Sequence, residues 1–218
     1  ANDLIKYFEF LKTKKKISSS INVNIKTSIG ISYFTEISKL RALRYIITSI
    51  SIQYNVSIKL TIEAITDKSC IKTTNIDSNL LRTTSSSLSG IIGGCDIITT
   101  IAHNSIQNDT NSQRLATNIA LILIEESNII KVSDPFAGSY LIESITNNII
   151  NDVVKNTKLT NYENTSNKII ETDNRSWVSS EDISIKSKFS ASDIKNISHL
   201  NFIAGEAPFL RGPYASMY

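Results

Sequence analysis

The sequence has few residues of the kinds that fix a chain by covalent links, metal ions or sharp turns. Its 218 residues include two cysteines, two histidines, seven glycines and three prolines. Cys70 and Cys95 lie far apart, and His103 and His199 each stand alone, so the spacing of a structural zinc site is missing. The fold therefore has to be held by an apolar core, and a reduced, cytoplasmic protein is expected.

Long apolar runs and a strong net charge are also missing. No run reaches the ~20 apolar residues that a membrane span needs, and no signal peptide is expected. The net charge is +3, and the one basic run, at 14–16, has no interleaved aromatic residues. Neither a membrane nor a nucleic acid is expected as a partner, while 41% apolar residues suffice for a core.

The first 155 residues alternate between strand and helix patterns. Period-two alternation predicts strands at 21–27 and 58–64, and a short apolar stretch predicts a third at 95–102. Apolar stripes at spacings of three and four predict helices after each strand, the first carrying Leu40, Leu43, Ile47, Ile50 and Tyr54. This order implies parallel strands, and their few charges predict a sheet covered on both faces. Because a closed (β/α)8 barrel takes ~250 residues, the expected α/β fold is a small open sheet or part of a barrel.

Local signals predict where the later helices begin and end. The second helix should end at Gly93-Gly94. Thr110 and Gln113 have the spacing of a capping box, and the apolar middle of the helix they open should be buried. Ser139 is expected to cap a last helix with Ile142, Ile145, Ile149 and Val153 on one side.

The remainder of the chain divides into a polar linker and a sparse tail. Residues 156–175 have the composition of a linker, and 176–218 contain Trp177, a possible short helix at 190–200 and a closing loop. The chain begins at Ala1 and its one methionine is Met217, so the natural polypeptide is expected to be longer.

Two stretches resemble the methylmalonyl-CoA mutase family. One runs from "SIGISYFTEISKLRALR" through "LLRTT" to "IALILIEESNIIKVSDPFAGSYLIESIT", and the other is "HLNFIAGEAPFLRGPYASMY". Residues 1–155 look like the end of a non-catalytic small-subunit barrel, and 175–218 look like the start of a catalytic large subunit. The resemblance implies a partial (β/α)8 TIM barrel in which strands and helices of the carboxyl half are present. A fusion, a read-through or a cut piece would each produce this order.

The resemblance implies an isomerase component. The family uses adenosylcobalamin to interconvert methylmalonyl-CoA and succinyl-CoA, and a catalytic mutase chain would be the protein partner. The family's cobalamin-domain run, Asp-x-His-x-x-Gly, is missing, so this chain alone is expected to be inactive. The alternative is a structural subunit, or an inactive relic, that packs on a catalytic partner.

Several positions depart from the family's catalytic pattern. A His-Ser-Gln run aligns with Glu63, Ala64 and Ile65, an Asp-Glu pair aligns with Asn104 and Ser105, and a tryptophan aligns with Ser69. These departures predict no catalytic residues in the barrel portion. The family's acyl-CoA contacts after "RGP" carry over to Tyr214 and Met217, with Arg211 as a weaker candidate for CoA phosphates.

Other polar residues have a structural and a functional interpretation. His103 follows a predicted strand, where barrels place their chemistry, but a lone histidine is more often structural. The loop from Asp134 to Ser139 resembles a catalytic loop, although its turn residues explain it equally well. Surface positions are expected for Arg82, Arg114 and the pair Glu125-Glu126.

Overall fold

The computed structural model describes residues 5–7, 9, 20–104, 109–157, 159 and 175–215. It divides into two compact units, Ala1–Ile170 and Glu171–Tyr218. From residue 20 onward, the regular elements of the first unit are β1 Ser20–Ile29, α1 Tyr33–Tyr54, β2 Ser57–Thr66, α2 Ser78–Ile92, β3 Ile97–Thr99, α3 Thr110–Leu121 and α4 Tyr140–Lys155. A π turn, Ile122–Glu126, extends α3, and short 3-10 turns lie at Lys68–Cys70 and Ile129–Lys131.

The sheet of the first unit is parallel, with the strand order β1-β2-β3. β1 and β2 pair along ten residues, from Ser20 opposite Ser57 to Ile29 opposite Thr66. β3 is shorter and pairs with β2 over three residues, beginning with Ile97 opposite Glu63. The predicted α/β class, the alternation of strands and helices and the parallel direction are confirmed.

The core lies between the sheet and helices α1 and α2. The predicted stripe on α1 is confirmed, since Leu40 and Ile50 have no exposed surface and Ile47 has 3%. Leu40 packs with Ile29 and Ile62 of the two long strands. Each fully buried side chain of this size contributes about 1.5–3 kcal/mol of transfer free energy.

Small residues let α2 and the residue after it closely approach the sheet and α1. A Cβ atom on Gly90 would lie 3.1 Å from Cδ1 of Ile98, and one on Gly93 would lie 2.8 Å from Cδ1 of Leu40. The helix ends at Ile92, before Gly93, as predicted. Buried serines on the same helix bond to neighbouring oxygens, as when Ser86 Oγ donates to the Gly30 carbonyl at 2.9 Å.

Among the described residues, helices cover one face of the sheet, which contradicts the prediction that both faces are covered. Along β1 every second side chain is exposed, and these are the polar ones: Ser20, Asn22, Asn24, Lys26 and Ser28. None of the described side chains on the same face of β2 and β3 is buried. The alternation that predicted a strand also indicated a half-buried strand, and its polar half lies on this open face.

Two predictions for α3 are also wrong. The apolar middle of the segment that it opens is not buried throughout: Ala116 is buried, but Leu121 and, in the following π turn, Ile122 keep 52% and 49% of their surface exposed. The helix begins one residue after Asp109, whose carboxylate accepts from the Ser112 N–H at 2.8 Å. Asp109 therefore takes the place of the predicted Thr110 capping box, since a carboxylate suits the positive end of a helix better than a hydroxyl.

The second unit has little regular structure. β4 (Ser176–Val178) and β5 (Ser184–Lys186) form an antiparallel hairpin that the sequence did not predict. The predicted short helix is two 3-10 turns, Ala191–Ile194 and Ser198–Asn201. None of the described residues 175–215 is buried. Most of the predicted linker, 156–175, lies outside the described residues.

Candidate functional site

The carboxyl edge of the parallel sheet is the first candidate site. Here the Ile29 carbonyl accepts from the Asp67 N–H at 2.9 Å, which ties the end of β1 to the residue after β2. Thr66 Oγ1 accepts from the Ile101 N–H at 2.7 Å, which ties β2 to the residues after β3. Asp67 then accepts from the Ser69 N–H at 2.8 Å and caps the following turn. These hydrogen bonds hold the strand ends and their loops as one layer.

Asn79 is the central polar residue of this edge and was missed by sequence reasoning. Its side chain has no exposed surface. Its amide Nδ2 donates to the carbonyls of Lys72, at 2.8 Å, and His103, at 3.0 Å. Its Oδ1 accepts from the Lys72 N–H at 3.0 Å. Asn79 therefore joins the loop after β2 to the loop after β3. Its position at the start of a helix was the one sequence signal for this role.

His103 lies at the carboxyl edge, as predicted, but brings no catalytic partner with it. Its Nδ1 is buried, and none of the described residues bonds to it. Its backbone carbonyl, and not its ring, accepts the hydrogen bond from Asn79 that joins the two loops. Asn104 donates from Nδ2 to Asp109 Oδ2 at 3.3 Å, while Ser105 lies outside the described residues. The structural interpretation of His103 therefore fits the geometry better than the catalytic one.

Asp109 is an acidic residue near this edge, and its role is a helix cap. Hydrogen bonds from the Ser112 hydroxyl and N–H lower the pKa of its carboxyl group. Its Oδ2 accepts from Ser112 Oγ at 2.7 Å. A group kept ionised in this way stabilises the start of α3 and is poorly suited to accept a proton in catalysis.

The three positions aligned with the family's His-Ser-Gln run carry other chemistry. Glu63 lies on the open face and pairs with Lys26 of β1, with Oε2 and Nζ 2.8 Å apart. Ala64 has no exposed surface and packs in the core between sheet and helices. Ile65 is a half-buried apolar residue on the open face. None of the three side chains provides an imidazole or an amide there.

A cleft of about 870 Å³ opens between α1, the end of α2 and α4. On one side, Arg41 Nη2 donates to Asp134 Oδ2 at 3.0 Å and to Glu143 Oε1 at 2.7 Å. Its Nη1 also donates to Thr146 Oγ1 at 3.3 Å. On the other side, Arg44 Nη2 donates to Asp96 Oδ2 at 3.0 Å and also binds the Gly94 carbonyl. Each charged side chain that lines this cleft is therefore already paired, Arg41 with Asp134 and Glu143 of the lining and Arg44 with Asp96.

The loop from Asp134 to Ser139 is a structural connection. Asp134 has a φ of 45° and is held in that left-handed conformation by Arg41. Ser139 precedes α4 but makes no side-chain cap, so that prediction is wrong. Glu143 instead reaches back and accepts from the Gly138 N–H at 2.9 Å. The Arg41 hydrogen bond, followed by that from Gly138, lowers the pKa of Glu143.

The other two arginine candidates form hydrogen bonds within their own helices. Arg82 Nη1 donates to Ser78 Oγ and Asn79 Oδ1, both at 3.2 Å, within its own helix. Arg114 Nη2 donates to Asn111 Oδ1 at 2.8 Å, also within one helix. Glu125 and Glu126 are exposed, as expected.

The closing loop of the second unit presents Tyr214. The Gly205 N–H donates to the Gly212 carbonyl at 3.0 Å, which folds the loop back on itself. Gly205 has a φ of 83°, and a Cβ atom there would lie 2.7 Å from the Ala215 nitrogen. Tyr214 keeps 67% of its surface exposed, and Arg211 is exposed as well. Met217 lies outside the described residues.

Neither a membrane-spanning helix nor a metal site is present among the described residues. No described helix combines the length and the apolar character that crossing a bilayer requires. No three histidine, cysteine or acidic side chains in the described ranges come together as metal ligands.

Comparison with known families decides the assignment. The model of the family described as methylmalonyl-CoA mutase matches residues 20–172, from the first residue of β1 to beyond α4. The chain belongs to the methylmalonyl-CoA mutase family. The family resemblance of the sequence is thereby confirmed.

Curated relatives in this family differ in the subunit that they represent. The methylmalonyl-CoA mutase small subunit of Porphyromonas gingivalis is 39% identical over 142 residues, which cover 62% of this chain and 23% of the relative. The mitochondrial methylmalonyl-CoA mutase of Bos taurus is 33% identical over 134 residues, 58% of this chain and 18% of the relative. The Escherichia coli methylmalonyl-CoA mutase is 32% identical over 129 residues, with 56% and 18% covered. The chain thus spans about a quarter or less of each of these relatives.

Proposed function

We propose that this chain is a non-catalytic component of a methylmalonyl-CoA mutase. Its sheet and helices form part of a (β/α)8 barrel of the small-subunit type, and its closing loop contacts acyl-CoA. The full enzyme is the adenosylcobalamin-dependent isomerase that interconverts methylmalonyl-CoA and succinyl-CoA. The partner is a catalytic mutase chain.

The observation that carries the proposal is the chemistry at 63–65. Glu63 is paired with Lys26, and Ala64 faces the core, where a catalytic mutase chain has residues that meet substrate and corrin. The P. gingivalis small subunit is also more similar to this chain than the Bos taurus and E. coli mutases are, at 39% against 33% and 32%.

The described residues do not fit adenosylcobalamin. The run Asp-x-His-x-x-Gly is missing around both histidines, since Ile101 and Ile197 stand where the aspartate would be. His103 Nδ1 is enclosed at the carboxyl edge, so this nitrogen does not face an open site for a corrin. The cofactor would therefore be held by other polypeptide of the enzyme.

Tyr214 is the residue proposed to contact CoA, together with Met217. An exposed tyrosine on a loop fixed by Gly205 offers a flat apolar face and a hydroxyl at little cost in chain entropy. The runner-up function is a purely structural subunit whose closing loop packs on the catalytic chain. The exposure of Tyr214 is compatible with both functions.

A turnover assay and a binding assay separate these functions. With methylmalonyl-CoA and adenosylcobalamin, the purified chain is expected to form no succinyl-CoA, and turnover by the chain alone would contradict the proposal. Titration of CoA is expected to show binding that Tyr214→Ala weakens about tenfold. Tyr140→Ala, at an exposed tyrosine of the first unit, is the matched control and should bind as the natural chain does. Equal CoA binding by both variants would favour the purely structural subunit.

A further inference from the structure

We propose that the cleft between α1, the end of α2 and α4 binds an uncharged, hydroxyl-rich ring compound, of the chemical class of small saccharides. The cleft has a volume of about 870 Å³, and small-molecule sites occupy about 300–1,000 Å³. None of the described residues assigned to the carboxyl edge lines it. The site is therefore an addition to the proposed function and does not depend on it.

The cleft reaches the opposite edge of the sheet from the candidate site described above. Gly93 and Gly94 line the cleft and precede β3, which places them at the amino edge. Arg44, also in the lining, is fixed to this edge through the Gly94 carbonyl and Asp96. A ligand in the cleft would contact these residues and not the loops that Asn79 joins.

The charges of the lining balance, which argues against an ionic ligand. Arg41 and Arg44 contribute two positive charges, and Asp134 and Glu143 contribute two negative ones. Arg41 Nη2 lies 3.0 Å from Asp134 Oδ2 and 2.7 Å from Glu143 Oε1, so both signs occupy one part of the cleft. An anion would be repelled by the carboxylates and a cation by the guanidinium groups. An uncharged ligand avoids both costs.

Hydrogen-bonding groups remain after these ion pairs have formed. Among the described residues, every donor to the Asp134 and Glu143 side chains binds Oδ2 or Oε1, so each carboxylate keeps a second oxygen. Arg44 donates from Nε and Nη2, which leaves the two N–H groups of Nη1. Ser144 and Asn147 line the cleft, and their side chains bond to none of the described residues. A purely apolar ligand would leave all these groups without partners.

A hydroxyl group matches this lining better than an amide does. The Arg41 guanidinium and the Asp134 carboxylate are in contact, so a donor and an acceptor lie side by side. A ligand group placed there has to accept from nitrogen and donate to oxygen at once. A hydroxyl does both through one oxygen atom, whereas an amide divides these functions between its nitrogen and its oxygen. A ring with several hydroxyls repeats the match along the lining.

Apolar side chains of the lining provide the other half of the match. Tyr45 and Ile92 are half-buried, and Ile150 keeps 7% of its surface exposed. A tyrosine ring and aliphatic side chains offer a surface on which the C–H face of a sugar ring packs. The cleft therefore combines an apolar surface with a few polar groups, which is the usual composition of a small-molecule site.

Titrations followed by NMR of the isotope-labelled chain test the site. Maltose is the probe, cyclohexanol tests a ring without the hydroxyl pattern, and inorganic phosphate tests for an anion site. We expect maltose to bind with a Kd of about 1–10 mM and to shift the amide signals of Gly93 and Gly94, and the other two compounds to bind at least about tenfold more weakly. No binding of maltose at about 50 mM, tighter binding of phosphate or cyclohexanol, or shifts confined to residues outside the lining would overturn the proposal.

Two neighbouring asparagines provide the matched pair of variants. Asn147 and Asn148 are both exposed on α4, and of the two only Asn147 lines the cleft. We expect Asn147→Ala to weaken maltose binding about fivefold and Asn148→Ala to leave it nearly unchanged. Equal Kd values in two variants that keep the thermal midpoint of the natural chain would contradict the proposal. Because the probes include neither CoA nor cofactor, failure here is distinguishable from failure of the proposed function.

Discussion

The two units of the chain differ in how far their side chains are buried. In the first, large side chains such as Ile29, Leu40, Ile50 and Ile62 have no exposed surface. In the second, no described residue is buried, and apolar side chains lie open to solvent: Val178, Ile183, Phe189, Ile203, Phe209, Leu210 and Tyr214. The first unit therefore has a core of its own, whereas the apolar surface of the second is available to another protein.

The difference shows how two parts of one chain obtain their conformations. The sheet and helices are specified by apolar periodicity and close packing around Gly90 and Gly93. The second unit is specified by local hydrogen bonds, such as the pair between Lys186 Nζ and Asp193 Oδ1 at 2.5 Å. Local hydrogen bonds of this kind are individually weak in water. We therefore expect substitutions to affect the two units very differently.

The largest effect is expected in the core of the first unit. Ile50→Ala removes a fully buried side chain and should lower the free energy of unfolding by about 2–5 kcal/mol. Ile52→Ala is the matched control, since the same residue type on the same helix is 50% exposed. Urea denaturation followed by circular dichroism measures both. Similar losses for the two variants would show that the packing around α1 is misassigned.

A smaller effect is expected for the arginine that joins α1 to the Asp134 loop and α4. Arg41→Ala removes hydrogen bonds to Asp134, Glu143 and Thr146, and the free energy of unfolding should fall by about 1–3 kcal/mol. Arg114→Ala, whose partner lies in its own helix, should change the same quantity by less than about 0.5 kcal/mol. If thermal denaturation ranks the two variants equally, Arg41 does not hold these elements together.

The stability of the first unit should depend on pH through Glu143. Its pKa is lowered in the folded chain from the ordinary 4.5, so the folded state binds this proton less readily than the unfolded state. The stabilisation is present above the unfolded pKa and is lost as the pH falls through the folded pKa. Urea midpoints at about pH 6 and about pH 3 measure this loss. Between these two pH values, the natural chain should lose more stability than the Glu143→Gln variant. An equal loss in both proteins would show that Glu143 is not the source of the pH dependence.

The smallest effect is expected in the second unit. Val178→Ser changes a side chain that is 63% exposed, and the midpoint of thermal unfolding should stay within about one degree. The same substitution should weaken binding to a catalytic mutase chain if the exposed apolar surface is an interface. A large loss of thermal stability would mean that the second unit has a core of its own.

Most of the first unit could be predicted from the sequence because its signals are local and periodic. The stripe from Leu40 to Tyr54 and the alternation at 21–27 mark the elements found. The open face was missed because few charges were taken as a sign of burial, although Asn22, Asn24 and Ser28 are uncharged and exposed. The bridge made by Asn79 was missed because it joins two loops that lie far apart in the sequence.

For the candidate site, the sequence was most informative where it departs from the family pattern. Glu63 and Ala64 were expected to lack catalytic chemistry, and they lie in a salt bridge and in the core. The loop at Asp134 could be assigned a structural role from its turn residues, but its contact with Arg41 spans 93 positions and has no local signal. The roles of Tyr214 and Met217 stay predictions.

Hydrogen exchange followed by mass spectrometry tests the contrast between the units most directly. The chain is compared alone and mixed with a catalytic mutase chain. In the free chain, peptides from 20–104 and 109–157 should be protected and peptides from 175–215 should exchange within seconds. Addition of the catalytic chain should slow the exchange of 175–215. Strong protection of 175–215 in the free chain, or no change when the catalytic chain is added, would contradict the account.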